Sequence, residues 1–227
     1  MGKRQESRDR IERQIVALGR RQLVAAGAAG LSVRAIAREL GMVSSAIYRY
    51  VASRDDLLTL LLVDAYTELA DGVDDARAAN ERAAWTEQLV VMARAAREWA
   101  MAEPASWALL YGSPVPGYHA PAELTVGPGT RVVGALFGVV GSGIAAGDVP
   151  TSNIEVAQSM SADFDAIRAE FAFSGDDTAV ARCFLLWAAL VGAISLEVFG
   201  QYGADTLSTP GAVFELQLQL LIAGLTK

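Results

Sequence analysis

Residues 32–54 constrain the fold of this chain more than any other stretch, and their sequence is SVRAIARELGMVSSAIYRYVASR. Ser32 is a favourable first cap for a helix because its hydroxyl can accept a hydrogen bond from an unpaired backbone N–H. Apolar residues then recur at helical spacing as far as Leu40. Gly41 adopts a positive φ without steric cost, so we expect it to end this helix.

A second short helix is predicted immediately afterwards, with Ser44 or Ser45 as its cap and Ile47 on its apolar side. The small side chain of Ala37 lets the two helices cross closely, and Ile47 is then placed to fill the space between them. Two short helices joined by so tight a turn predict a helix-turn-helix. The second helix of such a unit can enter the major groove of DNA, although the same pattern also occurs in plain helical bundles.

The charged residues are distributed unevenly along the chain. Residues 1–54 carry 11 Lys and Arg against 4 Asp and Glu, whereas residues 55–227 carry 8 against 22. The formal net charge is therefore −7 even though the amino end is basic. This distribution is typical of a protein that places one basic domain on nucleic acid and keeps an acidic remainder away from phosphate.

The basic stretch resembles the DNA-binding domain of the tetracycline-repressor (TetR) family of transcriptional regulators. The residues that carry the resemblance are Leu31, Ser32, Val33, Arg34, Ile36, Ala37, Leu40, Gly41, Ser44, Ala46, Ile47, Tyr48, Tyr50, Val51, Arg54, Asp56 and Leu57. The family usually has His, Phe and Lys where this chain has Tyr50, Val51 and Arg54, so an aromatic, an apolar and a cationic group are kept. The resemblance implies double-stranded operator DNA as a partner.

Eight residues are predicted to contact that DNA. Arg34, Tyr48, Tyr50 and Arg54 are expected at phosphates or the backbone, and Ser44, Ser45, Ala46 and Arg49 at or near base edges.

The whole chain predicts helices and hence an all-α fold with two domains. A three-helix helix-turn-helix domain is expected over residues 1–54, and a larger helical domain for effector binding and dimerisation over residues 55–227. The spacing predicts helices near residues 8–26, 55–72, 85–102, 130–147, 152–172 and 177–200, with further helices beginning at Pro104 and Pro210.

Three segments are expected to lie outside helices. Residues 1–7 are polar and predict a flexible arm, and the polar residues 71–83 predict a connection. Residues 112–129 contain four of the seven prolines, so a long ordered loop is predicted there.

The run GSGIAA, residues 141–146, matches the loose dinucleotide-binding pattern G-x-G-x-x-G/A. That pattern needs a strand before it and a helix after it, and no strand pattern precedes this run. A helix rich in small residues is therefore the preferred interpretation, and no cofactor is predicted.

Seven aromatic residues are predicted to line a site for a small-molecule effector, because the family resemblance implies such a cavity. They are Trp99, Trp107, Tyr111, Phe137, Phe164, Phe184 and Trp187. Each by itself is better explained as core, yet pockets between helices are lined by such side chains. The carboxyl half also resembles a subgroup named for a Trp-His-Gly signature, with Trp187 and Gly192 present and Val191 in place of the histidine.

Catalysis and metal binding are not expected. His119 is the single histidine, and no zinc-protease, paired-cysteine, Ser-His-Asp or phosphate-loop pattern accompanies it. The single cysteine, Cys183, lies in an apolar run and fits a buried structural thiol in a reducing cytoplasm. The apolar runs near residues 132–147 and 183–196 are shorter than the ~20 residues that span a bilayer, so no membrane segment is expected.

These features predict a homodimeric repressor that a small molecule releases from a pseudo-palindromic operator. The last two helices are expected to form a four-helix bundle with their copies, with Leu218 and Leu221 in the interface. The effector is expected to tilt the helix 55–72 and so to change the spacing of the recognition helices. The alternative is a ligand-binding or protein-interaction module without operator binding.

Overall fold

The computed structural model describes residues 3–203 and 205–226, apart from the side chains of Lys3 and Arg4. Ten α-helices and no strand lie in these ranges, so the all-α prediction is confirmed. The helices are α1 (Lys3–Ala26), α2 (Val33–Glu39), α3 (Ser44–Ile47), α4 (Arg54–Ala78), α5 (Trp85–Ala102), α6 (Pro104–Tyr111), α7 (Ala122–Ala145), α8 (Gln158–Phe171), α9 (Asp177–Val198) and α10 (Pro210–Leu225). A 3₁₀ turn, Ala28–Gly30, follows α1.

The chain forms two compact units. The first unit contains the residues up to Glu68 together with residues 103–129, and the second contains residues 69–102 and those from Thr130 onward. The first unit is larger than the predicted helix-turn-helix domain, and in it α6 packs on α1. The predicted division between residues 54 and 55 concerns function and stays a prediction.

The core of the first unit joins four helices. Ile15 of α1, Ile36 of α2, Ile47 of α3 and Leu58 of α4 are all fully buried in one cluster. Ala37 is also fully buried, and its methyl group is small enough for α2 and α3 to approach closely. Both residues that the sequence placed at the helix crossing, Ala37 and Ile47, therefore lie in this core.

The loop after α6 is attached to the same core. Val115 and Tyr118 pack against its apolar cluster, and the hydroxyl groups of Tyr118 and Thr59 are hydrogen-bonded at 2.8 Å. On α6, the buried ring of Trp107 lies 4.4 Å from that of Tyr111. The loop is therefore ordered, as the sequence predicts, and it belongs to the unit that carries the helix-turn-helix.

The core of the second unit centres on Phe137 of α7, which is fully buried. Its ring lies 5.0 Å from the ring of Phe171, 5.0 Å from that of Phe173 and 5.9 Å from that of Phe184. Gly134 permits this packing because a Cβ there would come within 3.2 Å of the Phe171 ring. Aromatic rings from three segments thus hold α7 against α8 and α9.

The glycine-rich run in α7 serves packing. Gly143 lies so close to the indole of Trp85 that an added Cβ would come within 2.7 Å of a ring carbon. The indole N–H of Trp85 donates to Asp148 Oδ2 at 2.9 Å just beyond the helix. The dinucleotide pattern is therefore a helical contact surface, in agreement with the preferred interpretation of the sequence.

Three boundaries differ from those predicted. Residues 3–7 belong to α1, while Met1 and Gly2 of the expected arm lie outside the described residues. α4 continues to Ala78 through most of the expected connection, because Val73 is buried on one face and this packing outweighs the low helix propensity of glycine and aspartate there. α8 begins only at Gln158, about a turn and a half later than predicted.

The prediction of a loop over residues 112–129 is wrong in its second half. α7 begins at Ala122 and contains Pro128 in its interior. In a helix interior a proline removes one hydrogen bond, here to the carbonyl of Leu124, and its ring crowds that carbonyl, although its fixed φ suits the helix. The strongly apolar helix that follows, with Leu136 and Val140 buried, outweighs that loss.

Within the described residues, two helices are long and apolar enough to cross a membrane by length and composition. They are α7 and α9, and 33% of the most apolar stretch of each is buried within the protein. The helices are longer than the apolar runs near residues 132–147 and 183–196 because α7 already begins at Ala122 and α9 spans Asp177–Val198. Core helices of water-soluble proteins meet the same criteria, and the expectation of no membrane segment stays a prediction.

Candidate nucleic-acid interface

The first helix of the helix-turn-helix is capped at both ends as its sequence predicts. Ser32 Oγ accepts a hydrogen bond from the backbone N–H of Ala35 at 3.3 Å. Gly41 has a φ of +65°, and its N–H donates to the carbonyl of Arg38 while that of Met42 donates to the carbonyl of Ala37. This pair of bonds is a Schellman motif, which ends α2 and turns the chain directly toward α3.

The second helix is shorter than predicted, and its cap differs. α3 contains only Ser44–Ile47, and Val43 occupies the cap position without a side-chain hydrogen bond. The prediction that Ser44 or Ser45 caps α3 is therefore wrong, because both residues already lie inside the helix. Their hydroxyl groups are exposed and are not used as caps, which leaves them available to a partner.

The structure places most of the predicted DNA contacts on the surface. Arg34, Ser44, Ser45, Tyr48 and Arg49 are exposed, whereas Ala46, Tyr50 and Arg54 are half-buried. Ile47 and Val51 are buried between them, so α3 and the turn after it present one outward face. The backbone N–H of Arg49 donates to the carbonyl of Ala46, which continues the helical path of α3 by part of a turn.

Two of the eight residues have contacts within the protein. Arg54 Nη2 donates to the carbonyl of Ala28 at 2.9 Å and thereby ties the start of α4 to the 3₁₀ turn. The guanidinium of Arg8 lies 5.9 Å from the centre of the Tyr50 ring, within the range of a cation–π contact. Both side chains therefore hold the helix-turn-helix together, whether or not they also approach a phosphate.

Three arginines of the exposed face have no carboxylate partner among the described residues. Within the described residues, Arg34, Arg38 and Arg49 form no ion pair with a carboxylate, although Arg21 on α1 pairs with Glu39 at 2.8 Å. Arg38 was absent from the predicted contacts. Its position one helical turn after Arg34 puts it on the same side of α2, and that spacing was the available signal.

The seven predicted effector residues fall into two units. Trp107 and Tyr111 lie in the first unit, where the Tyr66 ring is 6.5 Å from that of Tyr111, and burial raises the pKa of Tyr111. Phe137, Phe164 and Phe184 belong to the aromatic cluster of the second unit, where the ring of Phe164 lies 6.3 Å from that of Phe184. Trp99 on α5 and Trp187 on α9 are half-buried in the second unit.

A cavity of about 450 Å³ lies beside that aromatic cluster. Its walls are the irregular segment before α8 and the adjoining faces of α8 and α9, and they include Ile154, Met160, Phe164, Arg182 and Leu185. Arg182 Nη1 donates to the carbonyl of Pro150 at 2.7 Å, which fixes the guanidinium at the rim. The volume and the largely apolar lining are those of a small-molecule site.

Cys183 has no role at this cavity, and the groups for metal binding are dispersed. The thiol is fully buried, and burial raises its pKa to about 12, as expected for a structural cysteine. Within residues 3–203 and 205–226, no cluster of three or more His, Cys, Asp or Glu side chains is arranged to hold a metal ion.

Two family models match the chain. Residues 15–61 match the bacterial regulatory proteins of the tetR family, and residues 89–221 match the tetracyclin repressor-like C-terminal domain. Regulators of this family bind operator DNA and small-molecule effectors and form dimers. The finer resemblance to the Trp-His-Gly subgroup stays a prediction.

Curated relatives and solved structures agree with these matches. The chain is 61% identical over 227 residues to the HTH-type transcriptional regulators Rv1816 of Mycobacterium tuberculosis and Mb1846 of Mycobacterium bovis, covering 100% of this chain and 97% of each relative. The crystal structure of SCO4313 superposes with a TM-score of 0.78 at 30% identity and covers 98% of this chain and 100% of that one.

FadR from Bacillus subtilis, solved in complex with stearoyl-CoA, superposes with a TM-score of 0.63 over 93% of this chain and 97% of that one. At 14% identity, this likeness concerns the fold alone. The matched helix-turn-helix and the full-length relatives, together with the exposed basic face of α2 and α3, lead to one conclusion. The chain belongs to the TetR family and is a DNA-binding transcriptional regulator.

Proposed function

We propose that this regulator is a cytoplasmic homodimeric repressor, that it binds a pseudo-palindromic operator, and that a small-molecule effector releases it. The observation that carries the proposal is the exposed face of α2 and α3, where Arg34, Arg38 and Arg49 lack a carboxylate partner among the described residues. Cations without internal partners on one face suit a polyanion, because each phosphate contact releases condensed counterions.

On this proposal α3 is the recognition helix in the major groove. The exposed hydroxyl groups of Ser44 and Ser45 and the guanidinium of Arg49 lie toward base edges, with Ala46 beside them. Arg34 and Tyr48 contact phosphates, and we add Arg38 to this set. Tyr50 and Arg54 are half-buried and hold this surface in place. Arg54 can still donate to a phosphate, because its hydrogen bond to Ala28 uses only one of its N–H groups.

The dimer is proposed to form through α9 and α10. Leu185 and Leu196 of α9 and Leu216 and Leu220 of α10 are exposed, at helical spacing along each helix. A row of exposed leucines on two helices is a surface that a second copy can bury, as in an intersubunit four-helix bundle. Leu218 is 1% exposed and supports the protomer core, so Leu216 and Leu220 replace it as the proposed interface residues.

The effector is proposed to bind in the second unit beside the aromatic cluster. The cavity of about 450 Å³ is lined mainly by apolar side chains and contains Phe164, one of the predicted effector residues. An apolar or aromatic compound suits this lining. The guanidinium of Arg182 at the rim can donate hydrogen bonds to a polar or anionic group at one end of that compound. Phe137 is fully buried within the aromatic cluster and does not line the cavity, so we assign it to the core and not to the effector site.

Release requires the effector to bind the arrangement that does not hold DNA more tightly than the arrangement that does. α4 runs without interruption from Arg54, which is hydrogen-bonded to the 3₁₀ turn before α2, to Ala78. A continuous helix transmits a displacement along its length because its hydrogen bonds resist bending. We therefore propose that α4 carries the change from the effector to the spacing of the two recognition helices.

The operator test uses Arg49→Ala, measured by mobility shift on an operator selected from a random duplex library. If Arg49 binds a guanine edge, affinity falls by roughly 1–3 kcal/mol per half-site. Arg82→Ala is the matched control because Arg82 is also exposed and without an ion pair in the described structure, but belongs to the second unit.

Arg49→Lys separates shape from charge at the same position. Lysine keeps the charge but lacks the planar pair of donors, so it restores phosphate binding and not guanine recognition. Equal affinities for the native protein and Arg49→Ala would remove α3 as the recognition helix. Equal losses in the Arg49 and Arg82 variants would mean that overall charge, and not this face, binds DNA.

A further inference from the structure

The first unit contains a separate cavity of about 240 Å³ between the end of α1 and α6. Gly27 and Ala28 bound it on one side, and Ala105 and Ala108 of α6 on the other. Because these four residues contribute no side chain larger than a methyl group, the two backbones leave a space between them that is open to solvent on one side, where Gly27 and Ser113 are exposed. Gly27 has a φ of +64°, which lets the chain leave α1 abruptly and form the rim.

The remaining walls of this cavity are apolar. Leu23, Leu109 and Val115 form these walls, and the hydroxyl of Ser113 is the only polar side-chain group among the lining residues. No charged side chain lines it, so a charged ligand would lose its hydration without gaining a counter-charge. An engineered apolar cavity of about 150 Å³ in another protein binds benzene, so a cavity of this size accommodates one substituted ring.

We propose that this cavity is a second binding site, for neutral apolar molecules about the size of one substituted aromatic ring. It lies wholly within the unit that carries α2 and α3 and shares no residue with the cavity proposed for the effector. An occupant would touch Ala28, whose carbonyl accepts the hydrogen bond from Arg54. It would also touch Leu109 and Val115, which pack on the helix-turn-helix core. The site therefore gives small apolar molecules direct contact with the supports of the DNA-binding helices.

Toluene is the probe, with methyl resonances of the full-length protein as the readout. Saturable shifts are expected for the methyl groups of Leu23, Leu109 and Val115, with dissociation on the order of 1 mM for so small a ligand. Ala108→Leu fills the cavity and should abolish these shifts, whereas Ala25→Leu, an exposed site on α1 facing away from it, should leave them unchanged. Benzoate, which carries a carboxylate on the same ring, should cause none.

Three results would overturn the proposal: no saturable shift with toluene, shifts that persist in folded Ala108→Leu protein, or equal binding of benzoate. Ala105→Val adds less volume and replaces Ala108→Leu if thermal denaturation shows the leucine variant to be unfolded. Magnetisation transfer between toluene and the Val115 methyl groups in the native protein tests the location without any substitution. Because none of these measurements uses operator DNA or the effector, they succeed or fail independently of the proposed function.

Discussion

The α2–α3 face and the α9–α10 face leave opposite kinds of groups without a partner. On the first, apolar residues such as Ile36 and Ile47 are buried while Arg34 and Arg49 are exposed and unpaired within the described structure. On the second, Glu197 of α9 and Glu215 of α10 are paired with arginines of α5. Leucines are exposed there instead: Leu185, Leu196, Leu216 and Leu220.

This difference indicates which partner each face can bind. An exposed arginine stays hydrated, so several of them can remain on a surface at little cost in free energy. Such a surface can then bind a partner that carries negative charge. Apolar area that faces water is unfavourable by about 25 cal/mol per Å², so exposed leucines can bind a partner that covers them and excludes water. The first face therefore suits DNA and the second a copy of the same chain, and the two associations should respond differently to salt and to substitution.

The sharpest test of the comparison is salt. If each dimer makes 6–10 phosphate contacts, operator affinity should fall by about 10³–10⁵ between 50 and 200 mM salt, because each counterion released on binding gains less entropy in the more concentrated salt. Dimer affinity should change little over the same range, since the α9–α10 face buries apolar area. Mobility shift and sedimentation in matched buffers give both quantities. A flat operator response, or a dimer that dissociates as steeply, would contradict the assignment of the two faces.

The first helix of the helix-turn-helix could be predicted in detail because its determinants are local, whereas the cap and the length of α3 were not. Ser32 and Gly41 act within one helical turn of their own positions, and both were placed correctly. The sequence could not predict which arginines form hydrogen bonds within the protein. Arg54 donates to the carbonyl of Ala28, which lies 26 residues earlier in the chain. Arg54 and Arg49 look alike in sequence, and only the fold separates them.

The second unit shows the same limit for apolar residues. α10 is apolar on more than one side, so its spacing cannot tell Leu218, which the protomer buries, from Leu220, which is 65% exposed. Pro128 misled the prediction for the opposite reason. A local rule against proline in helices was outweighed by burial along the whole of α7, which the local pattern does not measure.

The next largest effect is expected from Leu220→Asp. Burying a leucine contributes about 1.5–3 kcal/mol, and a two-fold interface contains it twice, so the substitution should weaken the dimer by roughly 10²–10⁴. Sedimentation over a range of concentrations measures this change. Val24→Asp is the matched control because Val24 is 73% exposed but lies on α1, outside the proposed interface. A Leu220→Asp protein that stays as dimeric as Val24→Asp would place the interface elsewhere.

A smaller effect should separate the two arginines that hold α9 and α10. Arg97 donates twice to Glu197, whose side chain is 9% exposed, and its guanidinium lies 5.5 Å from the centre of the Phe214 ring. Arg97→Ala leaves a nearly buried carboxylate without its counter-charge, so the free energy of unfolding should fall by about 1–3 kcal/mol in urea denaturation.

Arg94→Ala is the comparison for that measurement. Arg94 also donates twice, to Glu215, but its side chain is 50% exposed and water can replace it. The loss should be about 0–1 kcal/mol. Equal losses for the two variants would mean that burial does not determine the strength of these pairs. Operator affinity at saturating dimer concentration should be unchanged by either substitution, in contrast to the effect of Arg49→Ala.

The smallest effect concerns the pH dependence of stability at the start of α9, where Asp177 accepts hydrogen bonds from two side chains of α8. Ser161 Oγ and Arg168 Nη1 donate to Asp177 at 2.5 and 2.6 Å, and these hydrogen bonds, the serine's first, lower the pKa of Asp177 below its ordinary value. A carboxyl with a lower pKa in the folded state contributes stability above its unfolded pKa of about 3.9, and that contribution is lost as pH falls through the folded pKa. The melting temperature of the native protein should therefore fall as pH is lowered below about 4, and Asp177→Asn should make that fall shallower.

Asp163→Asn, at an exposed carboxylate of α8 without an ion pair in the described structure, should leave the slope unchanged. Identical slopes in the native and Asp177→Asn proteins would show that the pair of Arg168 and Asp177, unlike those of α5, does not contribute to the stability of the α9 face.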